Sequence, residues 1–339
     1  MPLLLWPPPL QHYGHWERAE MGGVAYSVFM RFVLGFDGGG TKTDCVLMDE
    51  NQQILARARG GPSNPMRVGF GGALASVCEA GRAAVHAVNL TTAQIAVLCT
   101  GLAGASHPEA EMKMHKLLLQ EFPASAVHVC TDLDLTLEAA GDGPTVVLIM
   151  GTGSAAVGRD GDGKILRVGG HGPLLSDEGS AYDIGRIAAM QAIREFDRTQ
   201  ANSALGTRIL KEIGAADWAE FLSRANAIPD DVFPRIFSVV AAAAETGDSA
   251  ARQILQMAAK DLAKLVRDLV QRLQFTERCF SIVRSGGMVG RSSYFDQQVD
   301  ACLREVAPHG EFSGLALPPA EAAARIALRL LPALNEAGN

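Results

Sequence analysis

None of the six cysteines stands in a CxxC pair; Cys45, Cys78, Cys99, Cys130, Cys279 and Cys302 are scattered along the chain. That spacing argues against a disulfide framework and against a zinc site. Cys45, Cys99, Cys130 and Cys279 lie in or beside apolar strand-like runs and read as small buried hydrophobes of a reducing cytoplasm. No run of about 18 apolar residues occurs, so no transmembrane helix and no membrane partner are expected. Basic residues are in deficit, with Lys and Arg numbering 30 against 37 Asp and Glu and a formal net charge of −7. A partner with a phosphate backbone asks for a basic stripe, so no nucleic acid is expected. Aromatics are scarce at 6%, whereas glycine is abundant at 36 residues and 48% of the chain is hydrophobic. Over 339 residues this is the balance of an α/β enzyme with many tight strand-to-loop turns, large enough for two domains.

The first 29 residues stand apart. PLLLWPPPL is broken by prolines, and no basic residue precedes it, so it does not read as a signal peptide. Residues 1–29 are expected to form a poorly ordered extension, with the folded chain starting at Met30 or Met21.

From residue 31 the pattern becomes regular. RFVLGFDGGG (31–40) reads as a strand entering a glycine turn, and TDCVLMDENQQILARARG (43–60) as two further strands around a turn at Asp49–Gln52. GGPSNPMRVG (60–69) is turn-rich, and 71–88 has helical spacing. A buried strand at 94–104, a helix at 109–122 and a strand running into a helix at 126–140 complete a β-β-β-α-β-α-β-α order. The scheme then repeats, because 145–170 is again strand, Gly/Thr/Ser turn, strand, polar turn, strand. A mainly helical stretch follows from Asp177 to about Gln274, then a strand with a glycine turn at 279–290 and a last helix at 318–334. Two copies of a hairpin with a glycine turn, one opening each half, suggest an internal duplication. The expectation is an α/β fold of two similar lobes, 30–142 and 143–317, around a cleft. A C-terminal helix at 318–335 would pack back on the first lobe.

The stretch GFDGGGTKTD (35–44) is neither a GxxxxGK[ST] loop nor a GxGxxG fingerprint, both of which precede a helix. Here the glycines join two strands. Gly38, Gly39 and Gly40 let the backbone approach an oxygen closely, and their N–H groups, with the hydroxyls of Thr41 and Thr43, suit phosphate; Lys42 lies in the same turn. Asp37 at the strand end suits a water-mediated contact to Mg²⁺, which keeps much of its hydration shell. A plain glycine hairpin is the competing reading. The second copy, MGTGSAA (150–156), places Gly151, Thr152, Gly153 and Ser154 in the matching turn, so two loops could hold a triphosphate between the lobes. SGGMVG (285–290) adds a third turn, whose Gly286 and Gly287 suit a flat nucleoside lying against backbone.

Three such turns in this order resemble the actin/hexokinase/heat-shock ATPase superfamily. SDEGSAYDIGR (176–186) after GGHG (169–172), with CTGLAG and CTDLD, narrows the likeness. These motifs resemble the N-acetylglucosamine kinase branch of the BadF/BadG/BcrA/BcrD ATPase family, over about residues 31–331. The resemblance implies two ribonuclease-H-like lobes of the actin-like ATPase fold, ATP and Mg²⁺ as cofactors, and an amino sugar phosphorylated at its 6-hydroxyl. It also implies a cytoplasmic protein, for which a homodimer is an ordinary state.

Carried over residue by residue, the resemblance makes Asp132 of CTDLD the base that takes the sugar hydroxyl's proton. A helix cap is the competing role for Asp132, and Asp134 a competing carboxylate. Asn64 and Asp177 match sugar-binding positions; the first is otherwise a turn residue before proline, the second a helix cap. Gly170 and His171 fall where the family often has Gly-Trp beside the sugar, and the histidine puts the exact sugar in question. Glu321-Ala322 replaces a frequent glycine before the last helix and is expected to alter packing only. Glucosamine or N-acetylmuramic acid are alternative acceptors. An ATPase activator of a radical dehydratase or reductase is the alternative from another class, disfavoured because no cysteine sits near glycines as a shared iron–sulfur cluster requires. A sugar-sensing repressor would need a helix-turn-helix ahead of the first glycine turn, and residues 1–29 carry no helical period.

Overall fold

Two five-stranded mixed sheets carry the same strand order, and that repetition is the frame of the molecule. The structure, a computed structural model, describes residues 30–105, 108–123 and 125–331; the expected extension lies outside the described residues. The first sheet contains β1 (Phe32–Gly38), β2 (Thr43–Asp49), β3 (Ile54–Gly60), β4 (Ile95–Leu102) and β5 (Ala126–Thr131) in the order β3-β2-β1-β4-β5. The second contains β6 (Thr145–Met150), β7 (Ser154–Arg159), β8 (Ile165–Gly169), β9 (Phe280–Ser285) and β10 (Gly310–Ser313) in the order β10-β9-β6-β7-β8. Each begins with an antiparallel hairpin closed by a glycine turn: Gly38 faces Thr43 in one, Met150 faces Ser154 in the other. In each, the hairpin's first strand then pairs in parallel with a strand reached by a helical crossover.

Helices α1 (Pro65–His86) and α2 (Pro108–Glu121) cover one face of the first sheet, where Phe36, Leu47, Val77, Met114 and Phe122 are buried. The other face carries α3 (Asp132–Ala139) and, from the far end of the chain, α10 (Pro319–Arg329). Val33, Val46, Val97, Cys99 and Cys130 pack there against Ala320, Ala323, Ala324 and Ala327. Alanine keeps α10 thin enough for a close approach: a methyl group on Gly35 would fall 2.1 Å from the Ala324 nitrogen. An ion pair from Arg329 to Glu138 ties α10 to α3 at 2.6 Å.

The second sheet is buried under α4 (Ala181–Thr199), α5 (Ala204–Ile213), α6 (Trp218–Ala227), α7 (Pro229–Glu245), α8 (Ser249–Arg272) and α9 (Ser293–Val306). No helix among the described residues is long and apolar enough to cross a membrane.

Three details differ from the sequence expectation. α1 starts at Pro65 because Asn64 caps it and proline is pre-set for a first helical position; Gly69, at φ 71°, kinks the helix and hides its period. β10 is short and mostly exposed, without an apolar alternation to mark it. Cys279 is exposed, because β9 begins only at Phe280.

Candidate active site

The carboxyl ends of β1 and β5 deliver two carboxylates to the face shared with α3 and α10. Asp37 ends the apolar part of β1, and its side chain is held at about pKa 6 by burial first, then by the nearby charges of Asp132 and Asp44. Asp132 is the first residue of α3. Burial raises its proton affinity, while backbone N–H groups of the helix start and the Arg167 guanidinium pull it back. Two acids that repel each other in a shared, poorly hydrated place fit a hydrated divalent cation at neutral pH, so the Asp37 environment suits Mg²⁺.

The competing roles near Asp132 are already filled. Thr131 is the N-cap of α3, and its hydroxyl and backbone N–H donate to the Asp134 carboxylate at 2.8 and 3.0 Å. Asp134 is thereby consumed in a capping box, whereas the Asp132 carboxylate has no part in that box and is held by the backbone N–H groups of Asp132 and Leu133.

The first glycine turn is tight, with Gly39 N–H donating to the Lys42 carbonyl at 3.0 Å. The Gly39 carbonyl accepts from the backbone of Ser63 (2.9 Å) and Asn64 (3.1 Å), and the Gly38 carbonyl from Ala103 (2.9 Å). The turn is thus braced by the loop before α1 and by the end of β4. Thr41 is exposed on it. Thr43 is not available to a phosphate: it is buried, and its hydroxyl is engaged by the Gly61 carbonyl and Ser63, each at 2.7 Å. The Lys42 ammonium pairs with Asp44, which also takes Arg59 at 2.7 Å. Against the push of burial, these two bonds hold the Asp44 carboxyl below the usual range. Arg67 lies over the turn, since a methyl group on Gly40 would meet its guanidinium at 2.8 Å. Sequence reading did not single out Arg67; its place at the start of α1, three residues after the cap, is the signal it left. A cavity of about 490 Å³ opens beside Asp37, between β2, β3 and the start of α10, with Asp44, Arg57 and Arg59 in its wall.

In the second lobe, Gly151 N–H donates to the Gly153 carbonyl at 3.0 Å, and the Gly151 and Thr152 carbonyls accept from Ala181 and Tyr182 at the start of α4. Thr152 is exposed, whereas Ser154 is buried with its hydroxyl donating to the Glu178 carbonyl at 2.8 Å. The SGG turn abuts the same strand end: Met288 N–H donates to the Met150 carbonyl at 3.0 Å, and Gly286 adopts φ 113°. A methyl group on Gly286 would fall 2.3 Å from that carbonyl, so this turn requires glycine. Gly286 and Gly287 are exposed.

Asp177 is not a helix cap; Ser180 caps α4. Its backbone is left-handed at φ 66°, which turns its carboxylate beneath the second glycine turn, 2.6 Å from where a methyl group on Gly153 would sit. Burial raises its proton affinity, offset by the N–H groups of Ser154 and Gly172, and its Oδ1 has no partner among the described residues. Asn64 lies in the other lobe: its Oδ1 accepts from Met66 at 2.9 Å as the cap of α1, which leaves its amide N–H groups to donate elsewhere. His171 is exposed.

Arg167 joins these parts and was missed by sequence reading. It lies on β8, its charge acts on both Asp132 and Asp177, and its guanidinium donates to the carbonyls of Gly169 (3.2 Å) and Gly170. A methyl group on Gly170 would meet that guanidinium at 2.3 Å, so Gly170, at φ 70°, makes room for it. The only trace in the sequence is an arginine two residues before a double glycine.

The model of the BadF/BadG/BcrA/BcrD ATPase family matches residues 34–314. An N-acetylmuramic acid/N-acetylglucosamine kinase of Clostridium acetobutylicum is 26% identical over 269 residues, 78% of this chain and 88% of that protein. An N-acetyl-D-glucosamine kinase of Dictyostelium discoideum is 27% identical over 310 residues, 87% of this chain and 97% of that protein. A crystal structure from Chromobacterium violaceum, assigned as an N-acetylglucosamine kinase, has the same fold: its TM-score is 0.73 at 23% identity, over 90% of this chain and 100% of that one.

Proposed function

The chain belongs to the BadF/BadG/BcrA/BcrD ATPase family, and from that premise we propose that it is an ATP-dependent amino-sugar kinase that phosphorylates the 6-hydroxyl of N-acetylglucosamine. The observation that carries this reading is Asp132, a carboxylate at a helix start with raised proton affinity and no part in the Thr131–Asp134 capping box. Relatives named for N-acetylglucosamine and N-acetylmuramic acid support an amino sugar as the acceptor.

Phosphoryl transfer asks the protein mainly for positioning and charge neutralisation. The two glycine turns, Gly38–Gly40 and Gly151–Gly153, are suited to cradle the ATP phosphates from opposite lobes, with the exposed Thr41 and Thr152 and with Arg67 beside them. Gly286 and Gly287 offer flat backbone to the nucleoside. Mg²⁺ brought with the nucleotide would be held through water by Asp37 and supplies neutralisation of phosphate charge. The Asn64 amide, the Gly170–His171 loop and Asp177 are assigned to the sugar. Asp132 accepts the proton of the attacking hydroxyl, and the Arg167 charge favours its ionised form against the pull of burial. Asp177 is nearly buried under Gly153, so its part is to fix the second turn against the sugar loop as well as to accept from a sugar hydroxyl.

Asp132→Asn tests the assignment. Turnover should fall about 10²- to 10⁴-fold, while sugar affinity measured by calorimetry changes little. An unchanged kcat would remove Asp132 from the mechanism. His171 favours a second acceptor, because an exposed imidazole offers a hydrogen bond where a tryptophan would offer an apolar face; N-acetylmuramic acid, with its extra carboxylate, is that acceptor.

A further inference from the structure

On the side of the first sheet that faces α10, three ligating side chains converge. Cys99 stands on β4 directly opposite His128 on β5, and Cys130, two residues on, shares the face of His128. The two sulfurs are 3.9 Å apart, and one ligand atom from each of the three residues lies within 4.8 Å of the others. We propose that Cys99, His128 and Cys130 form a binding site for one thiophilic d¹⁰ cation of the zinc class, outside the nucleotide and sugar sites.

The distances are those such an ion needs with little movement. With metal–sulfur bonds of about 2.3 Å and metal–nitrogen bonds of about 2.0 Å, tetrahedral geometry sets sulfur–sulfur at about 3.8 Å and sulfur–nitrogen at about 3.5 Å. The sulfur pair is already at that spacing, and an imidazole nitrogen lies within 4.8 Å of both sulfurs. A disulfide fits less well, because the sulfurs would have to close to about 2.05 Å from diagonal positions on two hydrogen-bonded strands.

The carboxylates of Asp134 and Glu111 are close enough to act on Cys130, and Asp134 acts on His128 too, while His115 and Arg329 bring opposing charge near His128 and Cys99. Cys99 is fully buried and Cys130 nearly so among Val97, Leu135 and the alanines of α10. His128 is only partly covered, on the edge strand, which gives an ion and a fourth, water ligand a way in. Binding a dication to two thiols and a neutral imidazole releases two protons and leaves an uncharged complex, which suits these apolar walls. Cys130 is two residues from Asp132, so an occupied site would also stiffen the strand that presents the base. A search for CxxC misses the arrangement because its ligands follow strand period, H-x-C on one strand and a third residue in register on the next.

The test uses the full, reduced, metal-stripped chain. Co²⁺ added to it should bring up thiolate charge-transfer absorbance saturating at one equivalent, and Zn²⁺ should displace it in competition with a chromophoric chelator. His128→Gln and Cys130→Ser should each weaken Zn²⁺ binding by more than the about 10- to 100-fold that loss of a supporting partner costs. Cys302→Ser, on α9, should leave binding unchanged. His128→Gln is decisive should Cys130→Ser fail to fold, because His128 lies at an edge. Absence of a stoichiometric thiolate band, or Zn²⁺ affinity unaltered in His128→Gln, overturns the proposal.

Discussion

Asp37 is held in a place that suits its partner better than it suits the ligand-free protein. An ordinary aspartate titrates near 3.8; here burial and the neighbouring carboxylates lift it to about 6. The folded state therefore binds a proton that the unfolded chain has released between those two values, so stability falls as pH rises through that window and the full penalty applies above it. Two units correspond to about 3 kcal/mol at most. Asp37→Asn should raise the melting temperature of the ligand-free protein at pH 7.5, with the gain disappearing at pH 4, and should lower turnover. Equal melting temperatures at both values would contradict this reading of its burial. Arg167 gives a second residue-scale prediction. Removing its charge in Arg167→Met should raise the apparent pKa on the acid limb of kcat/KM, so activity at pH 6 falls further than at pH 8. A uniform loss across pH would mean that the side chain only braces Gly169 and Gly170.

At the scale of elements, the site depends on how β5 hands over to α3. The Thr131–Asp134 capping box fixes the first turn of that helix and hence the direction of Asp132. Thr131→Ala should cost about 1 kcal/mol of stability, seen as a lower denaturation midpoint, and lower kcat more than it changes sugar KM. A loss of stability with no loss of kcat would show that the cap is not what aims the base. The same junction shows what could be read from the sequence. CTDLD marks a strand end meeting a helix, and the glycine hairpins stand out because period-two apolar runs flank them. Asp177 was legible as a polar residue near the sugar loop but not as one tucked under Gly153, because that follows from a left-handed backbone at a non-glycine position. Arg167 was illegible for a different reason: Asp132, one of the two carboxylates its charge reaches, lies in the other lobe, and only the meeting of the lobes brings the two together. Cys99, His128 and Cys130 show the same limit, since register between strands is not written in either strand alone.

For the whole molecule, the repeated strand order is the feature that matters most. Under the proposed function, the two copies of the sheet bring their glycine turns to a single phosphate chain, with the carboxylates of the first lobe and Arg167 of the second, whose charge reaches Asp132, beside the transfer. The chain is acidic, at −7; Lys42, Arg57, Arg59 and Arg67 gather on and around the first glycine turn, the first three paired with Asp44 or Glu321. The central claim is that this cleft moves phosphate from ATP to an amino sugar. It is tested most directly by coupled measurement of ADP release with Mg·ATP across N-acetylglucosamine, N-acetylmuramic acid, glucosamine, N-acetylmannosamine and glucose. N-acetylglucosamine should stimulate turnover far above glucose and N-acetylmannosamine, with the sugar 6-phosphate as product. ATP turnover indifferent to every sugar would contradict the claim.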